Sequence, residues 1–97
     1  MEKEYLLDAI YDSRQSFYGK AKVRENESKS IIHKELVSYG TLVANYVYYK
    51  NENKQVYEYF GKYSCTTTRH QKEFFKQLDL TDNQIKELFK NGRFERA

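Results

Sequence analysis

The sequence predicts an α+β fold with an N-terminal helix, an antiparallel sheet of three to four strands, and two C-terminal helices. Three observations predict it. Apolar residues before Gly19 recur at helical spacing. Between Gly19 and Gly61 the period falls to two, and the residues become β-branched and aromatic. After Gly61, two helix-start signatures each precede an apolar stripe of helical period. Helices flanking a run of consecutive strands imply an antiparallel sheet covered on one face. The 97 residues are enough for one domain with little core to spare, so residues 1–97 are read as a single unit and 92–97 as its tail.

The first helix is expected from Glu2 to about Phe17, where Leu6, Ile10, Ser13 and Phe17 make a stripe widened by Leu7 and Ala9. Glu4, Asp8 and Asp12 stand at steps of four, an acidic ridge that suits a solvated face or a docking edge for a basic partner. Gly19 ends this segment. Lys20-Ala21-Lys22-Val23-Arg24 then alternates basic and apolar, as a half-exposed strand does. The β-branched and aromatic run from Ser30 to Tyr49 is too long for one strand. It breaks at Gly40 into strands over Ser30–Ser38 and Thr41–Lys50. Asn51-Glu52-Asn53 is a turn, and Gln55–Phe60 is the last strand.

The stretch Tyr63-Ser64-Cys65-Thr66-Thr67-Thr68-Arg69-His70 opens the next helix, read from about Thr67 to Leu78. Gln71, Phe74, Phe75 and Leu78 form its core side. Arg69, Lys72 and Lys76 lie on the other side, with Glu73 within i+4 reach of Arg69. Cations in a first turn oppose the helix dipole, so Arg69, His70 and Lys72 mark a place suited to an anion. Thr81 with Gln84 makes a second capping box, opening a short helix with Ile85, Leu88 and Phe89 that Asn91-Gly92 stops.

Composition bounds the chemistry. Ten Tyr and six Phe, with no Trp, mean that much of the core is ring, and that some hydroxyl edges need a partner. A net charge of +3 permits contact with nucleic acid without marking a strongly basic domain. A single cysteine allows no internal disulfide. No apolar run reaches bilayer-spanning length, and the N-terminus lacks the apolar segment of a signal peptide. A cytoplasmic protein without membrane contact is expected. Cys65 with His70 or His33 could be paired as nucleophile and base, but two histidines and one cysteine meet this description by chance. They cannot fill a four-ligand zinc site either. There is no Gly-rich phosphate loop and no HExxH. The expectation is therefore no enzyme, no cofactor and no metal.

Two features suit binding. One is the basic helix side of Arg69, His70, Lys72 and Lys76, whose bland reading is a solvated face with routine capping. The other is the set of strand tyrosines, in particular Tyr57 and Tyr59, which share a face and suit base stacking or a protein hot spot. Tyrosines are also simply good strand formers.

Ser16-Phe17-Tyr18-Gly19-Lys20-Ala21-Lys22-Val23, Ser38-Tyr39-Gly40-Thr41-Leu42-Val43-Ala44 and Tyr63–His70 with Glu73-Phe74 resemble a family of small uncharacterised proteins common in bacteriophages and mobile elements of Gram-positive bacteria. The resemblance covers about residues 14–77. The chain departs from it in the helix after Thr81 and in having Cys65 at a usually polar position. The resemblance implies a phage-type accessory protein, a group that includes inhibitors of host defence such as anti-CRISPR proteins. Two functions follow. One is a protein that binds and inhibits a bacterial defence or nucleic-acid-processing complex, its partner a nuclease or ribonucleoprotein. The other is direct nucleic-acid binding through the basic helix face, by fold-level analogy with double-stranded-RNA-binding domains. Monomer and homodimer both stay open, since no Pro guards a strand edge.

Overall fold

The computed structural model describes residues 2–12, 17 and 19–97. Its elements run β1 (Glu2–Leu6), β2 (Ala21–Glu27), β3 (Ile31–Ser38), β4 (Thr41–Tyr49), β5 (Lys54–Tyr59), α1 (Cys65–Gln77), α2 (Asp82–Asn91) and β6 (Arg93–Arg96). The strands form one antiparallel sheet in sequence order, β1-β2-β3-β4-β5-β6, and the helices lie between β5 and β6 in the chain.

Several expectations are overturned. The N-terminal segment is not a helix but an edge strand, and the sheet has six strands instead of three to four. The reason is tertiary. Lys3 and Tyr5 stand opposite Glu25 and Val23, Lys3 Nζ lies 3.2 Å from a Glu25 oxygen, and the Tyr5 hydroxyl donates to Glu25 at 3.3 Å. Charge complementarity across two strands therefore outweighs the helical spacing of Leu6 and Ile10, which end 53% and 65% exposed. The expected ridge of Glu4, Asp8 and Asp12 does not form: Glu4 faces Lys22, whereas Asp12 faces Arg69. Ser13, which belonged to the expected stripe, lies outside the described residues. At the other end, Arg93–Arg96 is not a tail. It pairs with β5 in the register Tyr57↔Phe94, laying Phe94 against Tyr57 with ring centroids 6.1 Å apart.

The central strands match the expected ones to within a few residues. The β3–β4 hairpin turns on Tyr39-Gly40, with φ of +50° and +80°. Two positive φ values are what a type I′ turn needs to follow the right-handed strand twist. Pairing register assigns the faces. Val23, Leu36, Ala44 and Tyr59 lie in one row, and Tyr46, Tyr57 and Phe94 in the next. The core gathers on this face, where Phe74, Phe75, Leu80, Ile85 and Leu88 of the helical segment cover it. The opposite face carries the row Glu4, Arg24, Glu35, Asn45, Glu58 and Arg93. Among the described residues no helix is long and apolar enough to cross a membrane.

Candidate functional site

The start of α1 is where the sequence points, and its geometry departs from the expected one by a register of two. Ser64 is the N-cap, extended at φ −155° and ψ 168°, with its Oγ accepting the Thr67 N–H at 3.1 Å. The helix thus begins at Cys65, and the first turn holds threonines instead of cations. Arg69, His70 and Lys72 fall beyond that turn, so they do not oppose the dipole at its positive end.

His70 is fully buried, at 0% exposure. Its Nδ1 lies 2.8 Å from Ser38 Oγ, which lies 3.0 Å from Thr67 Oγ1. The Phe17 ring meets the imidazole edge-on at 4.5 Å, and Tyr39 stacks on it at 5.8 Å. The three separated stretches singled out in the sequence, around Phe17, Ser38-Tyr39 and Thr67-His70, therefore converge on one imidazole. Its Nε2 is buried and has no hydrogen-bond partner among the described residues. Burial pushes the His70 pKa below its ordinary value, against the charge of Asp12, which pushes it up. A serine beside a histidine invites a nucleophilic reading, but Ser38 is 2% exposed. The pair joins the sheet to the helix.

Two more polar residues of this helix, Glu73 and Gln71, are also turned inward. Glu73, 2% exposed, accepts the backbone N–H groups of Tyr11 and Asp12 at 2.7 and 2.8 Å, and the Gln77 amide at 2.6 Å. It pins the segment after β1 onto α1. Gln71 donates to the carbonyls of Val43 and Gly61, at 3.0 and 3.1 Å, tying β4 to the loop that precedes the helix.

The expected site residues divide accordingly. Arg69 Nε sits 3.8 Å from Asp12, and Lys76 Nζ sits 3.1 Å from Asp82. With Lys72, which is exposed and has no carboxylate partner among the described residues, they border a shallow hollow of about 90 Å³. Tyr57 and Tyr59 do share a face, as expected, but it is the covered one. Tyr57 is 0% exposed, its hydroxyl 2.9 Å from Gln55 Oε1 and 3.2 Å from the Leu78 carbonyl. Tyr59 stacks on Phe89 at 4.1 Å. The Tyr57 ring is closed to a base, and Tyr59, half-buried, already has one ring face on Phe89. His33, the other histidine, bonds Asn45 on the uncovered face, and Asn45 donates to Glu58 at 2.9 Å.

A cleft on the uncovered face was not anticipated. It measures about 510 Å³ and lies between the start of β2 and the β3–β4 turn, lined by Lys20, Lys22, Arg24, Tyr39, Gly19 and Gly40, with Glu4 and Val37 at its sides. The signal was in the alternation Lys20-Ala21-Lys22-Val23-Arg24, which places Lys22 and Arg24 on one strand face with Lys20 just before the strand. Recognising a cleft there also required the turn to be brought alongside. Among the described residues, no group of three or more His, Cys, Asp or Glu side chains could hold a metal ion.

Residues 5–92 match the model of a family described as a family of unknown function (DUF8033). No curated protein matches the chain, and no solved structure does.

Proposed function

The chain belongs to DUF8033, a family of unknown function, and because that membership carries no activity with it, we propose from the geometry that the protein works by docking and not by catalysis. In this reading it is a small accessory protein of the phage-encoded kind, acting in the bacterial cytoplasm, where it occupies a working surface of a defence or nucleic-acid-processing complex. One observation carries it. His70, Ser38, Glu73 and Gln71 are consumed in holding the fold, the exposed Cys65 has no histidine or carboxylate contact among the described residues, and large apolar side chains are left outside.

Among the described residues Tyr5, Leu6, Ile10 and Tyr11 are exposed in and after β1, and four more lie at the β3–β4 turn or before α1. Tyr39 occupies the β3–β4 turn and Leu42 begins β4, while the Phe60 N–H reaches the Val43 carbonyl at 3.3 Å and Tyr63 precedes the Ser64 cap. They are 56%, 36%, 41% and 53% exposed, respectively. Exposed rings around a rigid turn are the material of a protein hot spot. Direct nucleic-acid binding through the α1 face is the weaker alternative, since Arg69 and Lys76 each already face a carboxylate.

The test is affinity capture from bacterial lysate with and without nuclease. The docking reading expects the same protein partners in both, and their loss with Phe60→Ala/Tyr63→Ala while the variant melts like the wild type. Partners that disappear on nuclease treatment alone would replace it with a nucleic-acid link.

A further inference from the structure

We propose that the cleft between β2 and the β3–β4 turn is a binding site for a short run of single-stranded nucleic acid, two to three nucleotides long. The site is separate from the α1 face and does not depend on the protein target inferred above.

Lys22 and Arg24 point to the same side of β2, their Cα atoms about 6.6 Å apart, and Lys20, just before the strand, lines the same cleft. That spacing is comparable with the separation of successive phosphates on an extended nucleotide strand. A line of cations thus matches a line of phosphates better than it matches a single anion. Lys20 is exposed and has no carboxylate partner among the described residues. Lys22 lies 3.8 Å from Glu4 with both half-exposed, and Arg24 reaches Glu35 only through Nε at 3.9 Å. Exposed pairs this long contribute little and exchange readily for a phosphate.

The turn supplies the rest. The first position of a type I′ turn ordinarily takes Asn, Asp or Gly, yet here it is Tyr39, held at φ +50°. Its ring stacks on buried His70 on the helix side of the turn and still remains 56% exposed, and the residue also lines the cleft. Gly19 and Gly40 leave open space where a Cβ would stand, so a ligand backbone can approach the floor. Base stacking on a ring beside a cationic track is how single strands are held without sequence readout. The length is bounded by charge. Past Arg24 the surface continues as a hollow of about 440 Å³ that includes Glu2, Glu4 and Glu35, which would repel further phosphates.

The test uses the full chain and a fluorescein-labelled oligo-dT octamer at two salt concentrations. Lys20→Glu/Lys22→Glu is expected to weaken binding at least tenfold. Lys22→Ala is expected to flatten the slope of log affinity against log salt by about 0.7, the value for one phosphate contact on a single strand. Tyr39→Asn suits the turn and so keeps it while removing the ring; it is expected to weaken binding several-fold. Lys72→Glu, on the α1 face, is expected to leave affinity within twofold. Absence of binding at low salt would overturn the site, as would equal losses from Lys72→Glu and the cleft double variant. Full competition by equimolar ATP would reassign it to a free nucleotide. Circular dichroism melts of each variant separate lost binding from lost fold.

Discussion

Burying an imidazole at position 70 costs desolvation that its hydrogen bond to Ser38 does not fully offset, because Nε2 finds no partner among the described residues. The return is geometric. Phe17, Ser38 and Tyr39 abut this ring, and Thr67 reaches Ser38, so a residue on α1 fixes the approach to β2 and the β3–β4 turn together. The ionisation consequence is directional. The folded pKa lies below the ordinary 6.5, so the unfolded chain binds the proton first as pH falls. Stability is then full above about pH 6.5 and is lost progressively below it, until the folded pKa is passed. Urea midpoints measured from pH 7.5 to 5 are expected to fall, and His70→Phe is expected to remove that part of the dependence. An unchanged pH profile in the variant would mean that His70 is not the group responsible. Glu73 offers a second residue-scale test. Removing its carboxylate with Glu73→Ala strands the Tyr11 and Asp12 N–H groups and is expected to cost about 1–3 kcal/mol. Glu73→Gln keeps one acceptor oxygen and is expected to cost less, with chemical denaturation as the readout.

At the scale of elements, α1 ends in a Schellman motif. The Leu80 N–H returns to the Phe75 carbonyl at 3.2 Å and the Asp79 N–H to that of Lys76 at 3.0 Å, with Asp79 left-handed at φ +68°. Glycine is the favoured residue there, so Asp79→Gly is expected to raise stability by roughly 0.5–1 kcal/mol. Arg96 reinforces the same helix end from β6, its guanidinium donating to the Leu78 and Asp79 carbonyls and lying 5.5 Å from the Tyr57 ring centre. Phe75, 0% exposed and in edge contact with Tyr57, Phe74 and Phe89, anchors α1 on the sheet. Phe75→Ala is expected to cost about 3–5 kcal/mol in denaturant unfolding. What was legible in the sequence was local. The Thr81–Gln84 capping box, the Gly40 turn and the Phe74-Phe75 side of α1 each declare themselves within a few residues. β1 and β6 do not, because each is stabilised by partners far along the chain. Lys3 finds Glu25 and Phe94 finds Tyr57, and neither short segment carries an alternating apolar pattern. For the site residues the difficulty was the facing. Helical and strand periods said that Tyr57 and Tyr59 share a side, but only the docking of α1 and α2 decided that this side is the covered one.

For the whole molecule, the helices bury one face of a six-stranded meander that has β1 and β6 at its edges. The edges are guarded by charge instead of proline: Glu2, Lys3 and Glu4 on β1, and Arg93, Glu95 and Arg96 on β6. The inward turn of His70, Ser38, Glu73 and Gln71 and the exposure of Tyr39, Lys20 and Lys22 direct function to surface contact around the β3–β4 turn. Amide NMR of the isotope-labelled protein during titration with the unlabelled oligo-dT octamer reads that placement most directly. Shifts concentrated at Gly19–Arg24 and at Tyr39-Gly40, with Arg69–Lys76 still, are the predicted result. Shifts confined to Arg69–Lys76, or none at saturating octamer, would contradict it.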